Sequence, residues 1–316
     1  MKKNYLGKTG IKVTELCFGV LPMGPLQAKV PLLEGARLLR LAAEEGVNFF
    51  DTAEMYQTYD YLKQGLEGFS GEVVIATKST ASTYKDMEKS IENFLRALGR
   101  DYLDIFLLHA AKATPAVFSE RAGAFDCLMD YKNKGFLRAI GISTHSAGVV
   151  HKAAEVKEID IVFPIINKIG MGIIDGTAGD MLTAIDRAFG AGKGLYAMKV
   201  LAGGHLIGEI QEAFSFVRGI PGINSVAVGM IKKEELDLNL KIFRDLDVSG
   251  EIQSLKTKFG KRLFISPFCQ GCGTCIEVCP NGALSIKDGK AVCDHHRCLL
   301  CGYCNPICPE FALRLL

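Results

Sequence analysis

Residues 73–109 read VVIATKSTASTYKDMEKSIENFLRALGRDYLDIFLLH. An apolar run, Val73–Lys78, opens the stretch, and a second, Asp104–His109, closes it. Between them Asp86–Leu98 carries Ile91, Leu95 and Leu98 along one stripe, the period of an amphipathic helix. Gly99 stands where a helix C-cap is expected. Strand, helix, strand, with both strands apolar almost throughout, is the pattern of parallel strands covered on both faces.

The unit repeats outward in both directions. Upstream lie Cys17–Pro22 and Asn48–Ala53, separated by the helical pattern Leu33–Glu45. Downstream come Ala139–Thr144, Ile161–Ile166, Leu195–Val200 and Ser225–Met230. Phe118–Lys134, Thr177–Gly192 and Lys232–Asp247 read as further helices, with Gly46, Gly135 and Gly192 at helix ends. Eight strand candidates, most followed by a helix, predict an α/β fold in the form of a closed (β/α)8 TIM barrel. The competing arrangement is an open doubly wound sheet. That sheet would want G-x-G-x-x-G after its first strand, which Gly19–Gly24 does not supply.

The chain has 316 residues, 48% of them hydrophobic, enough for one large domain and a small one. The reading assigns 1–260 to the barrel and 261–316 to the small domain, with a connecting segment near 250–263. Charge is balanced, 37 basic against 35 acidic residues, with no basic stripe, which argues against nucleic acid as a partner. No apolar run reaches the roughly 18 residues of a membrane span, and no signal peptide is legible. The expected location is the cytoplasm.

Cysteine usage changes abruptly along the chain. Of 11 cysteines only Cys17 and Cys127 precede residue 269. Such a dense cluster beside an enzyme-sized domain points to metal in a reducing compartment rather than to disulfides. Cys269, Cys272, Cys275 and Cys279-Pro280 follow C-x2-C-x2-C-x3-C-P, and Cys298, Cys301, Cys304 and Cys308-Pro309 repeat it. In this spacing three thiolates wrap one cubane and the fourth crosses to the other. One [4Fe–4S] cluster would take Cys269, Cys272, Cys275 and Cys308; the second would take Cys298, Cys301, Cys304 and Cys279. Two four-cysteine zinc sites are the alternative, although zinc ribbons use cysteine pairs without a third cysteine or a trailing Cys-Pro. Cys293 is left over and reads as a packed thiol. The segment resembles bacterial-type two-cluster ferredoxins. Residues 264–316 carry four basic and four acidic side chains, too balanced to steer a soluble carrier. We expect this part to pack on its own barrel, with a cluster near the barrel mouth.

At the C-terminal ends of barrel strands, where TIM-barrel chemistry gathers, three neighbouring runs end in Asp51, Lys78 and His109, and Tyr56 follows Asp51 closely. A phenol, a lysine that lowers its pKa, a carboxylate that holds the lysine and a histidine that orients an oxygen make a set for acid catalysis. Asp51-Thr52-Ala53-Glu54-Met55-Tyr56, Ala76-Thr77-Lys78 and Leu107-Leu108-His109 resemble the tetrad segments of the aldo-keto reductases. Leu6-Gly7-Lys8-Thr9-Gly10-Ile11-Lys12-Val13 and Gly141-Ile142-Ser143 match as well, so the resemblance covers about residues 3–247. It implies a carbonyl reductase using NADPH or NADH, with Tyr56 as general acid, Lys78 as its pKa partner, Asp51 as orienting carboxylate and His109 as substrate orienter. It further implies Ser143 and Asn167 at the nicotinamide carboxamide, and Lys199 and Gly203 at the pyrophosphate. Gly229, Lys232, Lys233, Glu235 and Asn239 fall in the segment that grips the adenosine end. Phe163, Met198 and Ile231 depart from the family's Gln, aromatic and Arg or Lys at their positions.

Three functions compete on this reading. The first is an enzyme that reduces a small carbonyl, or oxidises the alcohol, with a nicotinamide, and whose clusters relay electrons, with a redox partner protein possible. The second is an electron-transfer protein with the barrel as scaffold. The third is a reductase with structural clusters. A hydride carries two electrons and a cluster one, a mismatch that a flavin usually bridges; no independent flavin signature is present.

Overall fold

The computed structural model describes residues 1–251 and 262–315. A short antiparallel hairpin, β1 (Lys3–Tyr5) and β2 (Lys12–Thr14), leads into the barrel. The barrel strands are β3 (Leu16–Gly19), β4 (Phe49–Asp51), β5 (Val74–Ser79), β6 (Leu103–Ala110), β7 (Leu137–Thr144), β8 (Ile161–Pro164), β9 (Gly194–Ala197) and β10 (Ile223–Gly229). They are hydrogen-bonded in chain order, and β10 pairs in parallel with β3 to close the ring. Each of the eight expected runs overlaps one strand, so the closed barrel stands and the open sheet does not.

Around it run α1 (Leu32–Glu44), α2 (Tyr59–Leu66), α3 (Tyr84–Leu98), α4 (Val117–Glu120), α5 (Ala122–Asn133), α6 (Ala147–Glu155), α7 (Ala178–Gly190), α8 (Ile210–Arg218) and α9 (Lys233–Phe243). Gly46, Gly99, Gly135 and Gly192 all have positive φ at helix ends, as expected. The expected helix 118–134 is divided into α4 and α5 at Arg121. Its guanidinium donates to the carbonyls of Ser79, Ala81 and His109, tying two strand ends together.

Period-two alternation sorts each strand's side chains into two shells. Phe18, Phe50, Ile75, Phe106, Ile140 and Val162 face the helices. Cys17, Phe49, Ala76, Leu107, Ala139, Ile161 and Tyr196 fill the barrel interior, which Leu6, Ile11 and Val13 of the hairpin region plug from the N-terminal end. Carrying the inward parity up each strand leads to Gly19, Asp51, Lys78, His109, Ser143, Phe163 and Met198, all lining one cavity at the C-terminal mouth. The site is the continuation of the core pattern into open space.

The C-terminal part contains β11 (Leu263–Ile265), α10 (Thr274–Val278), β12 (Leu284–Lys287), β13 (Lys290–Cys293) and β14 (Leu313–Leu315). β11 pairs antiparallel with β14, and β12 with β13. Pairing of the first and last strands brings the Cys269 and Cys308 regions side by side, with Ser266 N donating to Ala312 O at 2.7 Å. The expected boundary between residues 260 and 261 lies outside the described residues. Among the described residues no helix is long and apolar enough to cross a membrane.

Candidate active site

β4 ends in Asp51, and a single 3-10 turn, Glu54–Tyr56, folds Tyr56 back over the mouth with 5% of its surface exposed. Lys78 of β5 is buried, and its three ammonium donors are all engaged. Two go to Asp51, at 2.7 Å to Oδ1 and 2.9 Å to Oδ2; the third goes to the Thr52 carbonyl at 2.7 Å. Burial pushes the Asp51 carboxyl up and the Lys78 ammonium down, and the ion pair pulls each back toward its charged form. Tyr196 donates to Asp51 Oδ2 at 3.0 Å and stacks flat on Phe163, with centroids 3.8 Å apart.

Among the described residues Lys78 makes no hydrogen bond to the Tyr56 hydroxyl. An ammonium has three protons, and Asp51 and Thr52 take them all. Instead Nζ lies 5.0 Å from the Tyr56 ring centroid and 5.2 Å from that of Phe163, a cation between two aromatic faces. The Tyr56 hydroxyl is held well above the usual phenol range by burial, then by the neighbouring Tyr303 phenol and the Asp51 carboxylate. Tyr56 is therefore a protonated phenol across neutral pH.

His109, at the inner end of β6, meets Tyr56 edge to face with centroids 5.9 Å apart. Burial, reinforced by Lys78 and other cations, keeps its pKa well below the usual imidazole value, so the ring is neutral. Its Nδ1 is buried without a partner among the described residues. Next along the mouth comes His145, 2% exposed, also with an unpartnered Nδ1, its pKa lowered by burial to about 3.

The cavity at the mouth measures about 530 Å³. Of the residues expected to hold a cofactor, Ser143, Lys199, Gly203, Gly229 and Glu235 line it. Lys199 adopts φ = 56° and makes no ion pair or side-chain hydrogen bond among the described residues. Asn167, Lys232, Lys233 and Asn239 are not on the wall. The Asn167 amide is consumed by Met171 and the Lys199 carbonyl, which fixes the loop after β8. Lys233 pairs with Asp237 at 2.5 Å. Asn239 donates to the Glu235 carbonyl, but its buried Oδ1 has no partner. A glycine-bordered cavity rimmed by an unpaired cation and orphaned buried polar atoms fits a dinucleotide.

The C-terminal segment sits on this mouth. Lys112 donates to the Glu277 carbonyl at 2.7 Å, Gln27 to that of Cys301 at 3.4 Å, and His205 Nε2 meets that of Cys298 at 3.0 Å. Two contacts require glycine: a Cβ on Gly203 would lie 2.3 Å from Leu299 O, and one on Gly302 would lie 2.1 Å from Leu26 O. Leu299 is buried in the outer core of the barrel. Tyr303, between Cys301 and Cys304, reaches into the cavity, its hydroxyl 3.5 Å from that of Tyr56 and 3.4 Å from His109 Nε2.

The eight motif cysteines fall into two groups of neighbours. Burial pushes the Cys275 thiol up, helped by nearby Cys269, Cys272 and Cys308; burial does the same for Cys304, beside Cys301, Cys298 and Cys279 and, less strongly, Cys275 of the other group. These groups match the crossed spacing. Backbone N–H groups of Gly271 and Ala291 point at Cys269 Sγ, that of Ala283 at Cys279 Sγ and that of Ala312 at Cys308 Sγ, at 3.2–3.4 Å. Such donors stabilise thiolates that hold a cluster, so the residues fit two cubanes. Cys293 packs beside Cys298 and Cys279, its thiol pushed up to about 12, first by burial.

A model of the aldo/keto reductase family matches residues 15–249, and one of a 4Fe-4S dicluster domain matches residues 268–312. The chain is 28% identical over 193 residues to an L-galactose dehydrogenase of Arabidopsis thaliana, covering 56% of this chain and 59% of that protein. It is 27% identical over 301 residues to an NADPH-dependent codeinone reductase of Papaver somniferum, covering 78% and 91%. The chain thus spans under two thirds of the plant dehydrogenase. A candidate aldo-keto reductase from Pseudomonas aeruginosa superposes with a TM-score of 0.67 at 24% identity, covering 77% and 95%, a likeness of fold.

Proposed function

The chain belongs to the aldo/keto reductase family, and from that premise we propose that it reduces a small carbonyl compound, or oxidises the alcohol, with NADPH or NADH. The observation that carries this reading is the meeting of a protonated Tyr56 and a neutral His109 at one end of a cavity that also holds the Asp51–Lys78 pair. When bound, the nicotinamide supplies a hydride. Everything else is the work of the chain's own residues. Tyr56 gives its proton to the carbonyl oxygen as charge builds there, and His109 orients that oxygen with its ring N–H. Lys78 acts through the face of the Tyr56 ring, 5.0 Å from its centroid, where its charge favours the developing phenolate. Asp51, Thr52 and Tyr196 hold that cation in position. Lys199, Gly203, Gly229 and Glu235 would border the dinucleotide.

The dicluster match supports two iron–sulfur clusters. We assign Cys269, Cys272, Cys275 and Cys308 to one, and Cys298, Cys301, Cys304 and Cys279 to the other. The second group flanks Tyr303, which lies within 3.5 Å of the Tyr56 hydroxyl. That proximity favours clusters that exchange electrons with this mouth, and with a redox partner protein, over clusters on a remote face. The free thiols suit the reducing cytoplasm.

Tyr56→Phe keeps the ring and removes the proton. Reduction of an aromatic aldehyde by NADPH should fall by about 10²–10⁴-fold, with NADPH affinity little changed. Wild-type turnover by this variant on every carbonyl the native enzyme reduces would overturn the assignment.

A further inference from the structure

Within the carbonyl-reductase reading, on which this step rests, we propose that Tyr303 of the cluster segment is a third residue touching the substrate's carbonyl oxygen. The active site is then built from both parts of the chain. The argument begins with two distances. The Tyr303 hydroxyl lies 3.5 Å from that of Tyr56 and 3.4 Å from His109 Nε2. A well-formed O–H···O bond is about 2.7–2.8 Å, so the three groups are gathered without being closed on one another. Two polar atoms about 3.5 Å apart can both lie about 2.8 Å from a third, as the base and two sides of one triangle. One oxygen seated beside the Tyr303 hydroxyl can therefore accept from it together with Tyr56, or with His109.

The backbone holds the phenol there. Gly302 lets the chain pass against Leu26 O, where any Cβ would collide, and Gln27 anchors the Cys301 carbonyl. The ring packs among Leu26, Ala53 and Tyr56, with His109 edge-on at 6.3 Å between centroids. A side chain fixed from both sides and aimed at the acid is pre-organised for the charge that develops on the oxygen.

Bond changes are those of the reduction itself. The C=O π bond breaks. A C–H bond forms at its carbon with the hydride a bound nicotinamide would supply, whose own C–H bond breaks as that ring is oxidised. An O–H bond forms as the Tyr56 O–H bond breaks, and the phenolate regains its proton from water. Tyr303 keeps its proton and contributes a hydrogen bond that strengthens as the oxygen becomes negative. Because the residue sits between two proposed cluster ligands, the site is complete only while the cluster segment is docked.

The test uses the anaerobically purified full-length protein with its iron in place. Tyr303→Phe retains the ring, so iron content and visible absorbance should match wild type. With NADPH and 4-nitrobenzaldehyde, kcat should fall by about 10²-fold, the loss seen when one donor to an oxyanion is removed, while KM moves less than about threefold. Binding of 4-nitrophenolate, an oxygen anion on a flat apolar body, should weaken about 10-fold by calorimetry, a readout independent of turnover. Unchanged or increased kcat together with unchanged binding of the phenolate overturns the proposal and makes Tyr303 a plug that substrate displaces. Tyr56→Phe is run alongside. Loss of turnover there with none in Tyr303→Phe removes only the role of Tyr303; full turnover in Tyr56→Phe removes the whole carbonyl-reductase reading with it.

Discussion

The barrel and the cluster segment meet at one cavity but are held together by different physics. The barrel buries two shells of apolar side chains, one inside the ring of strands and one beneath the helices. In the cluster segment four of the nine buried core residues are cysteines, and its strands are only three or four residues long. So small an apolar core does not stabilise a fold unaided; the sulfurs must be bonded to something. The barrel's stability is thus its own, whereas the segment that completes its mouth depends on metal.

Removing the metal is the strongest way to break this comparison. Oxidation and chelation of iron should unfold residues 263–315 and leave the barrel strands intact. Hydrogen exchange reads both at once: protection at Leu284–Lys287 and Lys290–Cys293 should vanish while β5 and β6 keep theirs. Equal loss in both regions would mean that the barrel leans on the clusters for its fold. A finer version is Cys279→Ser, which should lower iron from about eight toward about four per chain, affecting the cluster held by Cys298, Cys301 and Cys304.

Next in size is a change confined to the barrel. Lys78→Met leaves the Asp51 carboxylate buried without its cation, which costs about 3–5 kcal/mol. Iron content should not change. Adding Asp51→Asn removes the stranded charge, so the double variant should recover most of the stability and none of the activity. A single variant as stable as wild type would mean that Asp51 is protonated in the fold.

The contrast also explains what could be read from the sequence. Strands of the barrel announce themselves because each must be apolar along its length, and inward parity leads each strand to the mouth residue by arithmetic. Asp51, Lys78 and His109 were legible as ionisable residues at the ends of such strands, and Ser143 through the family resemblance. Tyr196 was within reach of the same count, two residues before Met198 on the inward face of β9. Its bond to Asp51 was not, because it depends on how far a phenol crosses the barrel. How Lys78 meets Tyr56, across the ring face while Thr52 O, a backbone atom, takes its last proton, could not be read from the sequence. The bonds of the Asn167 side chain to its own loop were likewise not legible. Tyr303 carries no local signal of chemistry. Only the docking of one region on the other, through Gly203 and Gly302, brings it beside Tyr56.

The smallest expected effect concerns protons in the barrel wall. His145 is 2% exposed and keeps its neutral form down to about pH 3, whereas an unfolded chain protonates it near 6.5. Between those values the unfolded state binds the extra proton, so stability falls as pH falls below about 6.5. At pH 5 the contribution of one such residue is about 2 kcal/mol relative to neutral pH, taking about 1.4 kcal/mol per unit of pKa shift. His109, lowered in the same direction, adds to the slope. Exposed carboxylates whose pKa is lowered, such as Glu155 and Asp180, act at more acid pH, where carboxylates titrate. His145→Gln keeps a polar side chain with no charge to gain. Its barrel transition, followed by far-UV circular dichroism under anaerobic conditions, should therefore lose less stability than wild type between pH 7 and pH 5. Parallel slopes for wild type and His145→Gln would show that the imidazole finds a route to solvent when it charges, and the barrel wall would then be softer at the mouth than its packing implies.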